Sequence, residues 1–489
     1  MVSRIVLGLT PLVLARLLGV ERYGIYALVT SLVGVVAGTS SLGQNSALQK
    51  FLPEYAVKDP ARGHAILVAS VRIIAVVILL VSAALLVASP MIARAIYRDP
   101  SLSGVLRFAV LLVAGTVLYN HFSSVAIGLH RIRTYGIASV VRGGTFLIFG
   151  ALGSLLLGLY GALIGQVVGA LFAAFVLIVD SQRTATRMLP GEVAWYAFSD
   201  LFREIMNFGV PALLAGVVVS FGIWWGSTLL VRHSGFQQLG LFAAAYSLMQ
   251  LILLLPSSLS VPAVSYLAET RAARGEGAFS ELVSNNLRFI WVLTLPISFF
   301  CALFSRSIMT LTFGPAFAPA SGLLCWMSII ALVIAINAQI GYAVASLGRM
   351  WQALALNGLW LVSFLPLSHF GVQGRGATGL VAAYCLSYVL FTFIVGAYSI
   401  RYLGVRYTHI PFLTFITLIA IAAATFSGTF LDSPPFLFGR LGLVGLLFAA
   451  EWRWALRADE RLRARELLVI ACGGLWLRRS CESDSDACT

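Results

Sequence analysis

Three arginines lie inside long apolar segments, where a charged side chain is costly unless it has a task. Arg72, Arg142 and Arg288 each stand about two helical turns from a segment end, and none has an Asp or Glu within helical reach along the chain. A guanidinium pairs with phosphate through two parallel hydrogen bonds, which makes these residues candidates for binding a pyrophosphate. The alternative is snorkelling, in which each arginine extends its charge to nearby lipid headgroups.

Other polar residues stand in or near the same apolar segments. Lys50 and Arg16 lie at segment ends, where anchoring to the membrane surface is the commoner role, and we keep them as weaker candidates for the same site. Asn45, Asn120 and His121 are candidates for pairing with hydrated glycan hydroxyls. The alternative for each of them is a hydrogen bond between helices.

The chain lacks residues that several classes of enzyme and pump require. Of the 33 lysines and arginines only Lys50 and Lys58 are lysines, and neither follows a glycine-rich loop of the kind that holds ATP phosphates. No Asp or Glu stands at the centre of an apolar segment. The six cysteines form no CxxC pair, and no His has zinc-ligand spacing. We therefore predict a protein that is not an enzyme, with no catalytic site, metal or cofactor.

The composition excludes a water-soluble protein. Of 489 residues, 60% are hydrophobic and 11% charged, and the mean hydropathy is +0.93. A soluble domain carries about 25% charged residues. No soluble core absorbs so much apolar sequence, so a soluble enzyme, a disordered chain and a fibre are all excluded. The remaining class is an all-α polytopic membrane protein.

Runs of about 20 apolar residues predict about fourteen transmembrane helices. The predicted spans are 4–20, 23–43, 65–90, 105–127, 136–156, 159–180, 206–231, 239–265, 284–307, 321–345, 350–370, 378–400, 411–430 and 436–456. With the N-terminus in the cytoplasm, 24 of the 33 lysines and arginines fall on the cytoplasmic side. The positive-inside rule therefore predicts that both termini are cytoplasmic.

The sequence repeats itself at an offset of 216 residues, which becomes 218 further along. The pairs that carry the repeat include Arg16/Arg232, Gly19/Gly235, Gly24/Gly240, Arg72/Arg288, Arg131/Arg349, Gly158/Gly376 and Gly161/Gly379. Six spans per repeat is an even number, so the two halves are parallel repeats about an axis along the membrane normal. The lobes could then present Arg72 and Arg288 to one another.

The repeat divides the chain into five parts. We predict an N-lobe of spans 1–6 over residues 1–182, a cytoplasmic linker over 183–205 and a C-lobe of spans 7–12 over 206–400. Spans 13 and 14 occupy 401–457, and a cytoplasmic tail occupies 458–489. Two lobes that rock against each other are suited to alternating access.

The residues that carry the repeat also carry a resemblance. The stretch "ARLLGVERYGIYALVTSLVGVV", followed by "LGQNSALQKFLPEYA", resembles the opening of the polysaccharide-biosynthesis flippases, the O-antigen (Wzx-type) branch of the multidrug/oligosaccharidyl-lipid/polysaccharide exporter superfamily. The family joins spans 1 and 2 by an LG-x-x-x-Y/F-G turn, here Leu18 to Gly24, and follows span 2 with K/R-F-x-x-E, here Lys50 to Glu54. "GLHRIRTYGIASVVRGG" and "GLYGALIGQVVGALF" are similar to spans 4 to 6 of the family. The resemblance covers roughly residues 10–400.

The resemblance implies two six-helix lobes around a central cavity, and translocation of a polyprenyl-pyrophosphate-linked oligosaccharide across the cytoplasmic membrane. The implied partners are this lipid-linked oligosaccharide and membrane lipid, with glycan polymerase and glycosyltransferases as further candidates and no nucleic acid. One alternative is a cation-coupled multidrug exporter of the same superfamily, which usually has a carboxylate within its N-lobe. Another is a membrane-embedded polysaccharide polymerase or ligase, which usually needs a large outer loop. A non-transporting scaffold is a third.

Overall fold

The computed structural model describes residues 2–189, 197–260, 263–405 and 437–450. All of the secondary structure within these ranges is helical. Nine helices of the described part are long and apolar enough to cross a membrane. The predicted class, an all-α polytopic membrane protein, is thereby confirmed.

The N-terminal half of the chain forms six helices. They are α1 (Val2–Ser40), α2 (Gln44–Lys58), α3 (Pro60–Met91), α4 (Leu102–Gly128), α5 (Ile132–Leu157) and α6 (Leu159–Met188). The later described residues form α7 (Phe198–Ser260), α8 (Ala263–Leu303), α9 (Ser305–Phe313), α10 (Ser321–Ser346), α11 (Met350–Leu403) and α12 (Leu437–Ala450). A short π-helix, Ile92–Ile96, follows α3, and a 3₁₀ helix, Pro315–Ala320, follows α9.

Three of the nine candidate membrane helices each hold two predicted spans. The two spans meet at Gly19 in α1, at Gly235 in α7 and at Gly376 in α11, each with a positive φ. This backbone conformation is strained for residues with a Cβ, so glycine marks the joint. The first twelve predicted spans therefore all lie on helices. Of the last two, 411–430 lies outside the described residues and 436–456 overlaps α12.

The backbone repeats with the sequence. Gly19 has φ 74° and ψ 172°, and its counterpart Gly235 has φ 80° and ψ 176°. Gly158 has φ 58° and ψ −130°, and its counterpart Gly376 has φ 55° and ψ −130°. Equivalent residues thus adopt the same unusual conformations in both halves, as parallel repeats require.

The repeat also includes a helix that the hydropathy pattern does not predict. The helix α2 lies between spans 2 and 3, and an offset of 216 carries its residues 44–58 onto 260–274. Residues 263–274 are the first segment of α8. This segment, and not the whole helix, ends at a break at Gly275, where φ is 81°. Each lobe therefore places a short helix between its second and third spans.

The lobes share a continuous apolar core. The largest buried cluster contains residues of α1, α4 and α5 together with residues of α7, α10 and α11. Separate clusters fill the interior of each half, one under α2 and α3 and one under α8. The helices α1 and α7 meet at the lobe boundary, where α2 and α3 also contact α7.

Candidate functional site

The two lobes touch through a pair of glycines. A Cβ on Gly24 would overlap the carbonyl oxygen of Phe236, and a Cβ on Gly240 would overlap the carbonyl oxygen of Val20. Val20 and Phe236 are related by the same offset of 216 as Gly24 and Gly240. The contact is therefore reciprocal, as across a two-fold axis. We call it the glycine contact.

Side chains around the glycine contact join the lobes at the same end of the bundle. The Tyr23 and Ser247 hydroxyl oxygens are 3.0 Å apart, and the Tyr23 ring packs edge-on against Phe317 at a centroid distance of 6.2 Å. The Arg16 guanidinium donates to the backbone carbonyl of Leu311 in α9. Arg16 is thus placed beside a surface helix, and its role as a ligand for substrate stays a prediction.

A cavity of about 360 Å³ lies between α7 and α10. Its lining includes two amide side chains, Gln250 and Gln339, with Ser257 and aliphatic residues. The hydroxyl of Tyr246, one turn earlier on α7, accepts a hydrogen bond from Gln250 at 3.0 Å. We call this space the amide cavity.

A half-buried cation lies within the N-terminal half. The Cζ atom of Arg142 is 4.2 Å from the centre of the Tyr119 ring, and the Tyr119 and Ser139 hydroxyl oxygens are 3.0 Å apart. The charge of Arg142 also acts on the hydroxyl of Tyr26, which donates to Gln166 at 3.0 Å. Helices α1, α4, α5 and α6 therefore meet around one arginine, and we call these five residues the arginine cluster.

Arg142 keeps the means to bind an anion. None of the four ion pairs recorded for the described residues includes it. A guanidinium stacked on a ring directs its N–H groups along its own plane, away from the stacking partner. Those groups suit a planar or bidentate acceptor such as a phosphate.

The other lobe has an aromatic residue at the position of Arg142. An offset of 218 carries Arg142 onto Trp360, within helices whose ends pair at Arg131 with Arg349 and at Gly158 with Gly376. The Trp360 ring is 2% exposed and stacks on Phe364 with centroids 5.1 Å apart. Equivalent sites of the two lobes thus carry a cation on one side and an aromatic stack on the other.

The predicted pair Arg72 and Arg288 has unequal surroundings. Arg72 is exposed on α3, whereas Arg288 is 9% exposed on α8 and interacts with other residues. Exposure of Arg72 fits either a water-filled space or a lipid headgroup region. That the two arginines face one another across the lobes stays a prediction.

The smaller predicted polar residues lie where α2 meets α4. Gln49 on α2 donates to Ser124 on α4 at 3.3 Å, and Asn45 and His121 each stand one turn before these residues. His121 is fully buried, and neither of its ring nitrogens, nor Asn45 Oδ1, has a hydrogen-bond partner among the described residues. Asn120 is half-buried beside them.

Lys50 lies on the outer side of α2. It is exposed, and its Nζ is 5.1 Å from the centre of the Phe51 ring. A lysine over a neighbouring ring on a surface helix fits the anchoring role better than a ligand role. The candidate residues therefore fall into separate groups.

A polar tie joins α2, α3 and α7 at the start of α7. Tyr55 donates to one carboxylate oxygen of Glu204 at 2.6 Å, and Arg62 donates to the other at 2.8 Å. The Arg62 Cζ is also 5.1 Å from the Tyr55 ring centre. Burial, reinforced by the hydrogen bond to Glu204, raises the pKa of Tyr55 to about 12.

Two carboxylates that lie within long helices are paired with arginines. Asp180, eight residues before the end of α6, pairs bidentately with Arg131 at 2.8 and 3.1 Å. Glu204 is held in the tie to Arg62. Among the described residues no group of three His, Cys, Asp or Glu side chains is placed to hold a metal ion.

The sequence also matches known proteins. A family model described as "Polysaccharide biosynthesis protein" matches residues 13–322 of this chain. The chain belongs to the polysaccharide biosynthesis protein family. Its relatives include the EPS I polysaccharide export inner membrane protein EpsE of Ralstonia solanacearum, 24% identical over 393 residues, covering 78% of this chain and 88% of that protein. The EpsE protein of Ralstonia nicotianae is 23% identical over 395 residues, with the same coverage.

Solved structures agree on the fold. The lipid II flippase MurJ, in an inward closed conformation, has a TM-score of 0.71 at 12% identity, covering 91% of this chain and 95% of that chain. An inward-facing MATE family transporter of the MOP superfamily has a TM-score of 0.67 at 12% identity, covering 86% of this chain and 95% of that chain. This member of the polysaccharide biosynthesis family therefore has the same fold as these transporters.

Proposed function

We propose that this protein moves a polyprenyl-pyrophosphate-linked oligosaccharide across the cytoplasmic membrane by alternating access. The observation that carries the proposal is the reciprocal glycine contact between two repeat-related lobes, in a chain of the polysaccharide biosynthesis family. The relatives named as EPS polysaccharide export inner membrane proteins support both the glycan as cargo and the inner membrane as location.

The cargo sets a physical requirement that the arginine cluster meets. A pyrophosphate and its sugars cannot cross hydrocarbon unaided, because their hydration would be lost. Arg142, half-buried and outside the recorded ion pairs, offers a cation for the phosphates within the spans. Arg72 and Arg288 are further candidates for this contact. The polyprenyl tail can remain in lipid, between helices.

The transport cycle follows from where the lobes touch. The glycine contact joins the lobes near the breaks at Gly19 in α1 and Gly235 in α7, and Gly43, after α1, packs against Gly209 near the start of α7. Alternating access requires these two contacts to part in turn, so that one opens while the other stays closed. With the cell interior negative, outward movement of an anionic head is favoured by about 2.3 kcal/mol per charge per 100 mV, so ATP is not required.

The exporter alternative shares the fold but has less support. The MATE transporters resemble this chain in structure. However, Asp180 of α6 is already paired with Arg131, whereas cation binding within a lobe calls for a carboxylate that can coordinate the ion. The polymerase or ligase alternative requires an external catalytic loop, and between α3 and α4 the described residues leave only a π-helix and a short turn.

A reconstituted assay separates these functions. The purified full-length protein in liposomes receives either a polyprenyl-pyrophosphate-linked oligosaccharide or a cationic dye. Movement of the glycolipid between leaflets, without dye uptake, is the expected result. Dye transport with no glycolipid movement would establish the exporter function instead. Glycan polymerase and glycosyltransferases are proposed as partners that supply or consume the cargo, testable by co-purification from membranes.

A further inference from the structure

The amide cavity lies directly beyond the contact between the lobes. On α7, Gly240, Ser247 and Leu251 all meet α1, the last through Gly8. Leu254 stands one turn after Leu251 on the same helix face, and it lines the cavity. The cavity therefore begins one turn along α7 from the residue that packs against α1.

The cavity lining is polar but carries no charge. The side chains that offer hydrogen bonds are Gln250, Ser257 and Gln339, and the remaining lining is aliphatic, for example Leu254 and Ala338. Amides and hydroxyls pair with sugar hydroxyls, and aliphatic groups pack on the C–H faces of a sugar ring. An ionised phosphate would find no counter-charge among these lining residues.

The amides are held in position before any ligand arrives. Gln250 donates to the Tyr246 hydroxyl at 3.0 Å, and Tyr246 is hydrogen-bonded to Tyr384 of α11. Gln339 is 4% exposed and donates to the backbone carbonyl of Ala335 at 3.4 Å. A polar group with its orientation fixed loses less entropy on binding than a free one.

Neither amide of the cavity has an amide at the equivalent position of the N-lobe. The offset of 216 relates Gln250 to Gly34, which has no side chain, and the offset of 218 relates Gln339 to His121. The same offset relates Trp360 to Arg142. At these positions the N-lobe thus carries Arg142, His121 and Gly34, and the C-lobe carries Trp360 and the two amides of the cavity.

From the uncharged lining of this cavity we infer that it is a subsite for a neutral sugar of the transported glycan, separate from the arginines proposed to hold the phosphates. This inference rests on the proposed function and names the part of the cargo that the amide cavity recognises. It predicts that the sugar and the phosphates make separable contributions to affinity.

The test measures binding to the full-length protein in lipid nanodiscs. The ligands are a polyprenyl pyrophosphate bearing a neutral disaccharide and the same lipid without sugar. Gln250→Met and Gln339→Met remove the amides with little change in shape, and Gln373→Met, an exposed amide of α11, is the matched control. Each cavity variant should raise the Kd of the glycosylated lipid about three- to tenfold and leave the Kd of the bare lipid unchanged.

A second variant guards against misfolding. Ala338→Leu narrows the cavity without removing a polar group, and it should weaken binding of the glycosylated lipid alone. Equal effects on both lipids, or no effect on either, would overturn the sugar subsite while leaving the flippase proposal intact. Failure of the unmodified protein to bind either lipid would instead contradict the proposed function.

Discussion

Gly24 lies against the backbone carbonyl of Phe236, four residues before Gly240, and Gly240 lies against that of Val20, four residues before Gly24. The two halves of the chain therefore meet in a self-complementary contact, with no side chain between the helices. Because the obstruction to a larger residue is backbone, a neighbouring side chain cannot rotate to make room. The lobe boundary is thus sensitive to substitution here.

Replacing either glycine by alanine should force the lobes apart at this end. For Gly24→Ala or Gly240→Ala we expect a loss of about 1–3 kcal/mol of stability, typical of inserting a methyl group into a packed site. Thermal unfolding in detergent micelles measures it. Gly34→Ala is the matched control, since its added Cβ meets nothing within 4 Å. Equal melting temperatures for all three variants would contradict the close contact.

Arg142 should carry a large part of phosphate recognition. We expect Arg142→Gln to lower glycolipid transport in proteoliposomes at least about tenfold, since charge-assisted hydrogen bonds contribute about 1.5–3 kcal/mol. Arg142→Lys should retain part of the activity, because the charge remains without the planar fork. Arg133→Gln, an exposed arginine on the same helix, is the control. Unchanged transport by Arg142→Gln would remove this residue from the mechanism.

The Arg72 and Arg288 pair is tested by a double variant. Arg72→Ala with Arg288→Ala should block translocation while the protein still inserts into the membrane. Because Arg288 is buried and Arg72 is exposed, only Arg288→Ala should also lower the melting temperature. The exposed pair Arg107→Ala with Arg133→Ala removes the same charge elsewhere. Normal transport by the first double variant would remove both arginines from the mechanism.

The tie at Tyr55 predicts a loss of stability in alkali. Its pKa rises from 10.0 to about 12, so the folded protein holds the phenol proton more tightly than the unfolded chain does. This contribution is complete below pH 10 and is lost as the pH rises towards 12. Comparing the free energy of unfolding with that of Tyr55→Phe at about pH 8 and about pH 11 measures it.

The matched control for this titration is Tyr266→Phe, which removes a phenol that is 58% exposed. The advantage of the unmodified protein over Tyr55→Phe should shrink at the higher pH. A difference that does not vary with pH would show that Tyr55 contributes packing alone.

The fold could be predicted because its main determinants are local. Apolar runs of membrane-spanning length identify the helices, and the paired glycines at 19 and 235 identify the repeat. Apolar runs do not reveal the helix α2, because it is amphipathic and too polar for a span, although its copy at 263–274 follows from the offset. The predicted span 284–307 does not show the break at Phe304, after which α9 begins.

The candidate site could be predicted only in part. Arg142 stood out as a charge in an apolar run, but its stacking on Tyr119 is a contact between helices that no spacing along the chain specifies. Gln250 and Gln339 are polar residues like many others near the spans, and no spacing along the chain shows that they line one cavity. Applying the offset of 218 to Arg142 would have revealed Trp360, and with it the difference between the lobes.

The matching turns at Gly158 and Gly376 bear on how this chain evolved. Two copies of one six-helix unit that meet through a self-complementary surface amount to a homodimer written as a single polypeptide. A true homodimer must show the same face to both ends of its cargo. A single polypeptide is free of that constraint, so it can carry arginine at position 142 and tryptophan at the equivalent position 360, matching a cargo whose own two ends differ.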